Sequence, residues 1–496
     1  MKIITSTLLL LLCIGAIQSQ AQPTKKQKPN IIFIYADDLG VGETGPYGQK
    51  KIKTPRLDQL SQEGIHFTQF YTSTPVCAPA RCMFLTGRHG GHSYIRGNYE
   101  MGGFADSLEG GQMPLPEGTI TIGHMLQKAG YKTAAIGKWG LGMPFTTGDP
   151  NKQGFDYFYG YLDQKQAHNY YPTHLWENGK KEPLNNHFID IHKSLRPDEA
   201  TDSAFNYFKG NDYAVDELTK KAVRFIEENR QRPFFLYLPY TIPHVALQAP
   251  DSAIRKYIGL FDEKPYLGNQ GYTPSKYPLS TYAAMITYLD TQVGIVMDLV
   301  KKLGLDDNTI ILFSSDNGTT FNGGVDPVFF NSVNGLKGLK MDLYEGGIRE
   351  PLIARWPGKI PAGSIAAAPA VQYDLLATFA DIAGITAPTN DGVSLLPALK
   401  GNEQSLQQRA YIYFEYPEKG GAVAIRKGKW KAIKTDMKKD KQAPWQLYNL
   451  ETDPNEQHDV ASQHQDMLPA FDAIVRKEHR NAHLNEWEFL NSKMSK

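Results

Sequence analysis

Four short runs of almost uninterrupted apolar residues, Ile31–Tyr35, Thr133–Ile136, Phe234–Leu238 and Ile310–Phe313, constrain this chain more than any other feature. A strand with one wet face alternates apolar and polar residues, whereas a continuous run implies that both faces are covered. Helical patterns lie between the runs. Thr54 and Pro55 supply an N-cap and a first-turn proline ahead of Leu57 and Leu60. Met285, Ile286, Leu289, Val293, Val296, Val300 and Leu303 repeat at helical spacing and stop at Gly304. That stripe reads as core packing. Buried strands alternating with helices predict an α/β fold built on a large, mainly parallel sheet between helices.

The residues immediately beyond each run carry the chemistry. The first run ends in Asp37-Asp38, the second in Gly137-Lys138-Trp139, the third in Pro243-His244 and the fourth in Asp316-Asn317-Gly318. In an open α/β sheet ligands bind beyond the carboxyl ends of the strands, so these groups should converge on one cleft. Asp37, Asp38, Asp316 and Asn317 are all oxygen donors, which suits one hard cation such as calcium; they lack the His/Cys pattern that zinc prefers. Each pair taken alone reads more readily as a helix cap or a solvated turn, and the two strand ends together reverse that balance. A further segment runs Cys77-Ala-Pro79-Ala-Arg81-Cys-Met-Phe-Leu-Thr-Gly-Arg88. Pro79 suits a first helical turn, which sets Cys77 at a helix N-terminus where free N–H groups favour an anion. Arg81 adds a bidentate donor to an oxyanion.

On these residues the chain resembles the type I sulfatases of the alkaline phosphatase superfamily, whose motif is Cys (or Ser)-x-Pro-x-Arg followed by Leu-Thr-Gly-Arg. Ala80 stands where Ser is frequent. The likeness runs from Asp37-Asp38 through Gly137-Lys138-Trp139, Pro243-His244 and Ser315–Gly318. It continues through Lys340 and Tyr344–Arg349 to Leu447–Pro454. The resemblance implies an alkaline phosphatase-like sheet and hydrolysis of sulfate monoesters. It also implies that a maturation enzyme oxidises Cys77 to formylglycine, and that one Ca²⁺ is held by Asp37, Asp38, Asp316, Asn317 and the modified Cys77. The hydrated aldehyde has two hydroxyls: one attacks sulfur, and the other later loses its proton so that sulfate leaves by C–O cleavage. By the same resemblance Lys138 and Lys340 bind sulfate oxygens, and Asp316 and His244 lie near the bridging oxygen as proton donors. Arg349 reads as a structural ion-pair partner.

Substrate class is less sharply written. Gln166–Trp176 mixes aromatics with hydrogen-bonding groups, and His168, Asn169, Tyr170, His174 and Trp176 would suit stacking on a sugar and reading its hydroxyls; a loop packed on the core is the competing reading. The expectation is a glycan sulfatase acting on sulfated galactose or N-acetylgalactosamine. The alternatives are a phosphate or phosphonate ester hydrolase of the same superfamily, or a non-catalytic glycan-binding protein if Cys77 stays unmodified. One departure stands out: many members of the family it resembles read Gly-Lys-Trp-His-Leu-Gly where this chain has Gly137-Lys138-Trp139-Gly140-Leu141-Gly142. The missing imidazole is expected to be replaced by His168 or by His92, with water as the alternative.

Residues 1–21 read as a secretory signal, with Lys2, an apolar run from Ile3 to Ile17 and Ser19-Gln20-Ala21, giving a periplasmic or secreted product. Residues 22–29 form a polar tail expected to be disordered. The mature chain then divides into 30–400, a catalytic domain, and 401–496, a smaller antiparallel sheet with a helix. Lys+Arg number 53 and Asp+Glu 52, so the charge offers no field for nucleic acid or an anionic membrane. No further stretch reads as a membrane span. Without Cys13 of the leader only Cys77 and Cys82 remain, which excludes a disulfide framework; Cys82 reads as a buried thiol.

Overall fold

The computed structural model describes residues 28–98 and 109–490. The leader expected over 1–21, and all of the expected tail except residues 28 and 29, lie outside them. Lys28 is tied down, its Nζ donating to the Ala129 carbonyl at 2.9 Å.

Eleven strands form the main sheet: β1 Asn30–Asp37, β2 Ile65–Tyr71, β3 Lys132–Lys138, β4 Tyr157–Tyr161, β5 His174–Glu177, β6 Lys180–Pro183, β7 Phe234–Pro243, β8 Thr309–Ser315, β9 Arg349–Arg355, β10 Ser364–Ala366 and β11 Ala370–Val371. Across the sheet the order is β10-β2-β9-β8-β1-β7-β3-β4-β5-β6, with β11 beside β2. The four apolar runs are the adjacent central strands β8, β1, β7 and β3, all parallel. Ile32 aligns with Leu236 on one side and Ile311 on the other. β9 and β5 run antiparallel to their neighbours on both sides and make the sheet mixed.

Successive side chains of a strand point to opposite faces, and here each face has its own core. Ile32, Ile34, Leu236, Leu238, Ile311 and Phe313 meet Leu289, Val293 and Val296 of the helix Pro278–Lys302. Ile31, Phe33, Phe235, Ile310 and Leu312 meet Phe84, Leu375 and Phe379 on the other face. Each such side chain, fully covered, contributes about 1.5–3 kcal/mol relative to exposure. The helix Pro278–Lys302 corrects one sequence expectation, because by length and composition it could cross a membrane. Its apolar window is 72% buried against the sheet, which is how the core helix of a large α/β domain comes to be apolar nearly all round.

A second sheet comes later in the chain: β12 Ile412–Tyr416, β13 Ala422–Lys427, β14 Trp430–Lys434 and β15 Gln446–Asn449, antiparallel in sequence order, with the helix Leu468–Glu478 packed on it. It shares a core with the main sheet, where Ile412, Phe414 and Tyr416 contact Tyr71, Val76 and Ile348. Buried ion pairs cross the same boundary. Lys431 Nζ lies 2.9 Å from both Glu345 and Glu456, and Arg96 lies 2.8 Å from Glu415.

Candidate active site

The carboxyl ends of β1, β3, β7 and β8 lie side by side, and their polar residues meet the start of the helix Cys77–Thr86. Pairing of β1 with β7 shifts register between Tyr35 and Asp37, and Asp38 takes a left-handed φ of 62°. The chain thereby presents two consecutive carboxylates to one cavity, where a regular strand would send them to opposite faces.

Asp37, Asp38, Asp316, Arg81 and Lys138 are at most 1% exposed, and the Lys340 side chain 12%. Lys138 Nζ lies 2.6 Å from Asp37 Oδ2, Arg81 Nη2 lies 2.7 Å from Asp316 Oδ2, and Lys340 Nζ lies 2.8 Å from Asp38 Oδ2. Three buried carboxylates thus face three cations, Arg81 and Lys138 buried and Lys340 partly so. Burial alone would raise Asp37, but Lys138, His244 and Arg81 hold it well below the usual carboxylate range. Asp316 moves the other way, raised by burial and by the charge on Asp37.

Cys77 Sγ is 3.5 Å from Lys340 Nζ and 3.8 Å from Asp38 Oδ1, and burial pushes its thiol up. An unmodified thiol held in its neutral form is a poor nucleophile. His244 Nε2 lies 3.4 Å from Asp38 Oδ2, and burial pushes it down to about 4. The ligand atoms of Asp37, Asp38, Cys77 and His244 all lie within 4.8 Å of one another. Asp316 stands at the edge, its Oδ1 accepting from the Asp38 N–H and its Oδ2 facing Arg81. Asn317 donates its amide to Asp38 Oδ1 at 2.7 Å. Asp37 Oδ1 and Asn317 Oδ1 are buried with no hydrogen-bond partner. Two orphaned oxygens within a cluster of carboxyl groups fit a hard cation.

Of the residues read as facing substrate, His168 comes to the site. Its ring stacks on His244 with centroids 4.5 Å apart and planes 5° apart, and its Nδ1 is buried without a partner. Tyr170 is fully buried, donating to the carbonyls of Thr241 and His244, so it fixes the His244 turn from below. Asn169 is buried; its carbonyl accepts from Tyr161 and its Oδ1 from the Tyr171 N–H. His174 and Trp176 sit on β5 and share Glu109, at 2.7 and 3.1 Å. His92 lies elsewhere, stacked on His89 and 3.0 Å from Asp391, so it does not fill the space beside Gly140. Arg349 pairs with Glu345, and Cys82 is a buried free thiol 3.4 Å from Ser93 Oγ.

Sequence reasoning missed the supports. Gln372 donates to the Ser315 carbonyl at 2.6 Å and accepts from Tyr35 at 2.7 Å, holding the ends of β8 and β1 together. Tyr272 stands edge-on to His168 and His244. Neither carries a local signal, because each acts on residues far away in the chain.

A sheet of this order with carboxylates, basic groups and a helix-terminal Cys77 at its carboxyl edge defines the alkaline phosphatase superfamily of ester hydrolases. The sulfatase family matches over residues 29–385, and the C-terminal region of N-sulphoglucosamine sulphohydrolase over 339–478. The chain belongs to the sulfatase family and is a sulfuric ester hydrolase. It is 29% identical over 507 residues to an N-acetylgalactosamine-6-O-sulfatase of Bacteroides thetaiotaomicron, covering 90% of this chain and 93% of that one. It is 33% identical to human arylsulfatase A over 444 residues, 85% and 77% of the two chains. The solved structure of Ps i-CgsB with k-i-k-neocarrahexaose superposes with a TM-score of 0.74 at 30% identity, over 95% of this chain and 96% of that one.

Proposed function

We propose that this protein removes sulfate from a terminal sulfated galactose or N-acetylgalactosamine of a glycan, using Cys77 matured to formylglycine and one Ca²⁺. The observation that carries the reading is the three-on-three charge set: the carboxylates are the ligands of a cation and the basic groups are those of an oxyanion, each neutralising the other. When bound, the cation would be held by Asp37, Asp38, Asn317 and the modified Cys77 with Asp316, and it would neutralise charge on the transferring group. Arg81, Lys138 and Lys340 then turn to the sulfate oxygens. His244 faces the leaving oxygen, and the anion's charge favours its protonated form. The names of the relatives support a carbohydrate: one acts on N-acetylgalactosamine 6-sulfate and one was solved with a neocarrahexaose. The apolar run at the N-terminus supports export to the periplasm or beyond, and the sheet-and-helix unit after residue 401 is read as a C-terminal subdomain.

Sulfate release from a panel of mono-sulfated sugars, differing in sugar and in position, tests this. Turnover is expected on a galactose-configured monosaccharide sulfate. A rate on the corresponding phosphate monoester that matches or exceeds it would overturn the sulfatase reading in favour of a phosphoryl-ester hydrolase.

A further inference from the structure

Gly140 has a left-handed φ of 74°, and a Cβ placed on it would lie 2.8 Å from Cγ of Gln164 and 3.5 Å from its Oε1. The Gln164 side chain therefore lies across the glycine, in space that any side chain at 140 would claim. It is 3% exposed, and its backbone N–H donates to Gln112 at 2.9 Å. Its amide orientation is dictated by a chain of hydrogen bonds. The Ala78 N–H can only donate, so the Asn98 atom facing it at 3.1 Å is Oδ1. That oxygen can only accept, so the Gln164 atom facing it at 3.4 Å is Nε2. Gln164 Oε1 is left on the opposite side, buried and with no donor. A buried carbonyl oxygen without a donor costs about 1–3 kcal/mol, so this oxygen is an acceptor with capacity to spare.

Ala78 adjoins Cys77, and Gly140 lies two residues beyond Lys138, so Gln164 is held between the segment that carries the nucleophile and the segment that carries Lys138. A thiol brings a single weak donor, and Asp38 Oδ1 is 3.8 Å from it. A hydrated aldehyde at the same position brings two O–H donors and needs two acceptors.

We infer that Gln164 orients the nucleophile, its Oε1 accepting a hydrogen bond from one hydroxyl of the hydrated formylglycine at residue 77, with Asn98 and the Ala78 N–H setting the amide. The inference rests on the formylglycine reading of Cys77. Gln164 fills the place beside Gly140 as an acceptor and orienter. An amide is not a base at physiological pH, so proton removal falls to another group.

The test uses the full-length matured enzyme, Gln164→Met and Asn98→Ala, with aldehyde content at residue 77 measured by peptide mass and rates normalised to it. Gln164→Met is expected to lose about 10- to 100-fold in kcat with KM nearly unchanged, the loss of one hydrogen bond to a reacting group. Loss of the acceptor also shifts the hydrate toward free aldehyde, so a small aminooxy reagent should form the oxime several-fold faster in the folded variant. Asn98→Ala, on an exposed residue, should do the same to a lesser degree, and the double variant should show less than the product of the two effects. If Gln164→Met does not fold, Asn98→Ala decides alone. Aldehyde present, with kcat and oxime rate within twofold of wild type, overturns this inference and leaves the formylglycine reading standing. Active wild-type protein carrying only thiol overturns both.

Discussion

Lys138 and Asp37 form an ion pair at 2.6 Å in which neither side chain is more than 1% exposed, although the proposed function assigns one to the sulfate and the other to the cation. On those proposed roles, filling either half of the site would release a group to the other. Binding of cation and of sulfate should therefore be coupled.

Lys138→Ala removes one partner of that pair and leaves Asp37 a buried charge, a loss of about 3–5 kcal/mol in metal-free protein. Calcium should supply the missing positive charge. The rise in melting temperature on adding calcium to chelated protein is expected to be larger in the variant than in wild type. An equal rise in both would show that Asp37 does not face the cation.

Cys77→Ala is expected to abolish turnover while leaving the melting temperature close to that of wild type. The thiol makes two weak polar contacts and no covalent bond to the rest of the fold. The peptide spanning residue 77 of active protein should show an aldehyde in place of CH₂SH by mass. Turnover retained by the alanine variant would remove Cys77 from the mechanism.

His168→Ala and His92→Ala should differ in kind. His168 stacks on His244, so its loss frees that ring and is expected to cost about 10- to 100-fold in kcat. His92 packs on His89 and Asp391 beside Glu478 of the C-terminal helix, so its alanine variant should lower the melting temperature and keep kcat within a few-fold. Pre-steady-state kinetics of the two variants, read beside their thermal melts, separate the cases; a normal burst and normal rate for His168→Ala would exclude it from the site.

His479 links the last helix to the second sheet. Burial opposes its charge, but Glu415 at 3.1 Å and Glu488 at 3.2 Å outweigh burial and lift it to about 9. A histidine raised above its unfolded value near 6.5 gives stability that is fully present below that pH and is lost as pH rises toward 9. Denaturant melts from pH 6 to 9.5 should show this decline, and His479→Gln should flatten it. A decline of the same size in the variant would place its origin elsewhere.

Much of the fold is legible in the chain because it rests on local pattern. Uninterrupted apolar runs of this length suit strands covered on both faces, and all four are the central parallel strands. The motif around Cys77 and the polar ends of those runs are legible for the same reason: a strand end leading into Asp-Asp or Asp-Asn is a short-range signal. The apolar stripe of the helix Pro278–Lys302 reads as core packing and is buried as such, although the helix is also long and apolar enough to cross a membrane, because hydropathy alone does not say whether an apolar helix meets lipid or a sheet. The loop from His168 to Trp176 reads as one surface in sequence. Its members serve different ends because the chain changes direction between them, with His168 ending a short helical turn and His174 and Trp176 lying on β5: His168 goes to His244, Tyr170 into the core, His174 and Trp176 to Glu109.

The sequence by itself determined which groups the site contains: the carboxylates, the basic groups, Cys77 at a helix start, and the absence of a side chain at 140. Only the tertiary structure decided how those groups divide the charge among them, which histidine reaches the cleft, and that Gln164 lies across Gly140. Residue type is a local property of the chain, whereas an ion pair, a stacked ring or an orphaned oxygen exists only when segments far apart in sequence close on one another.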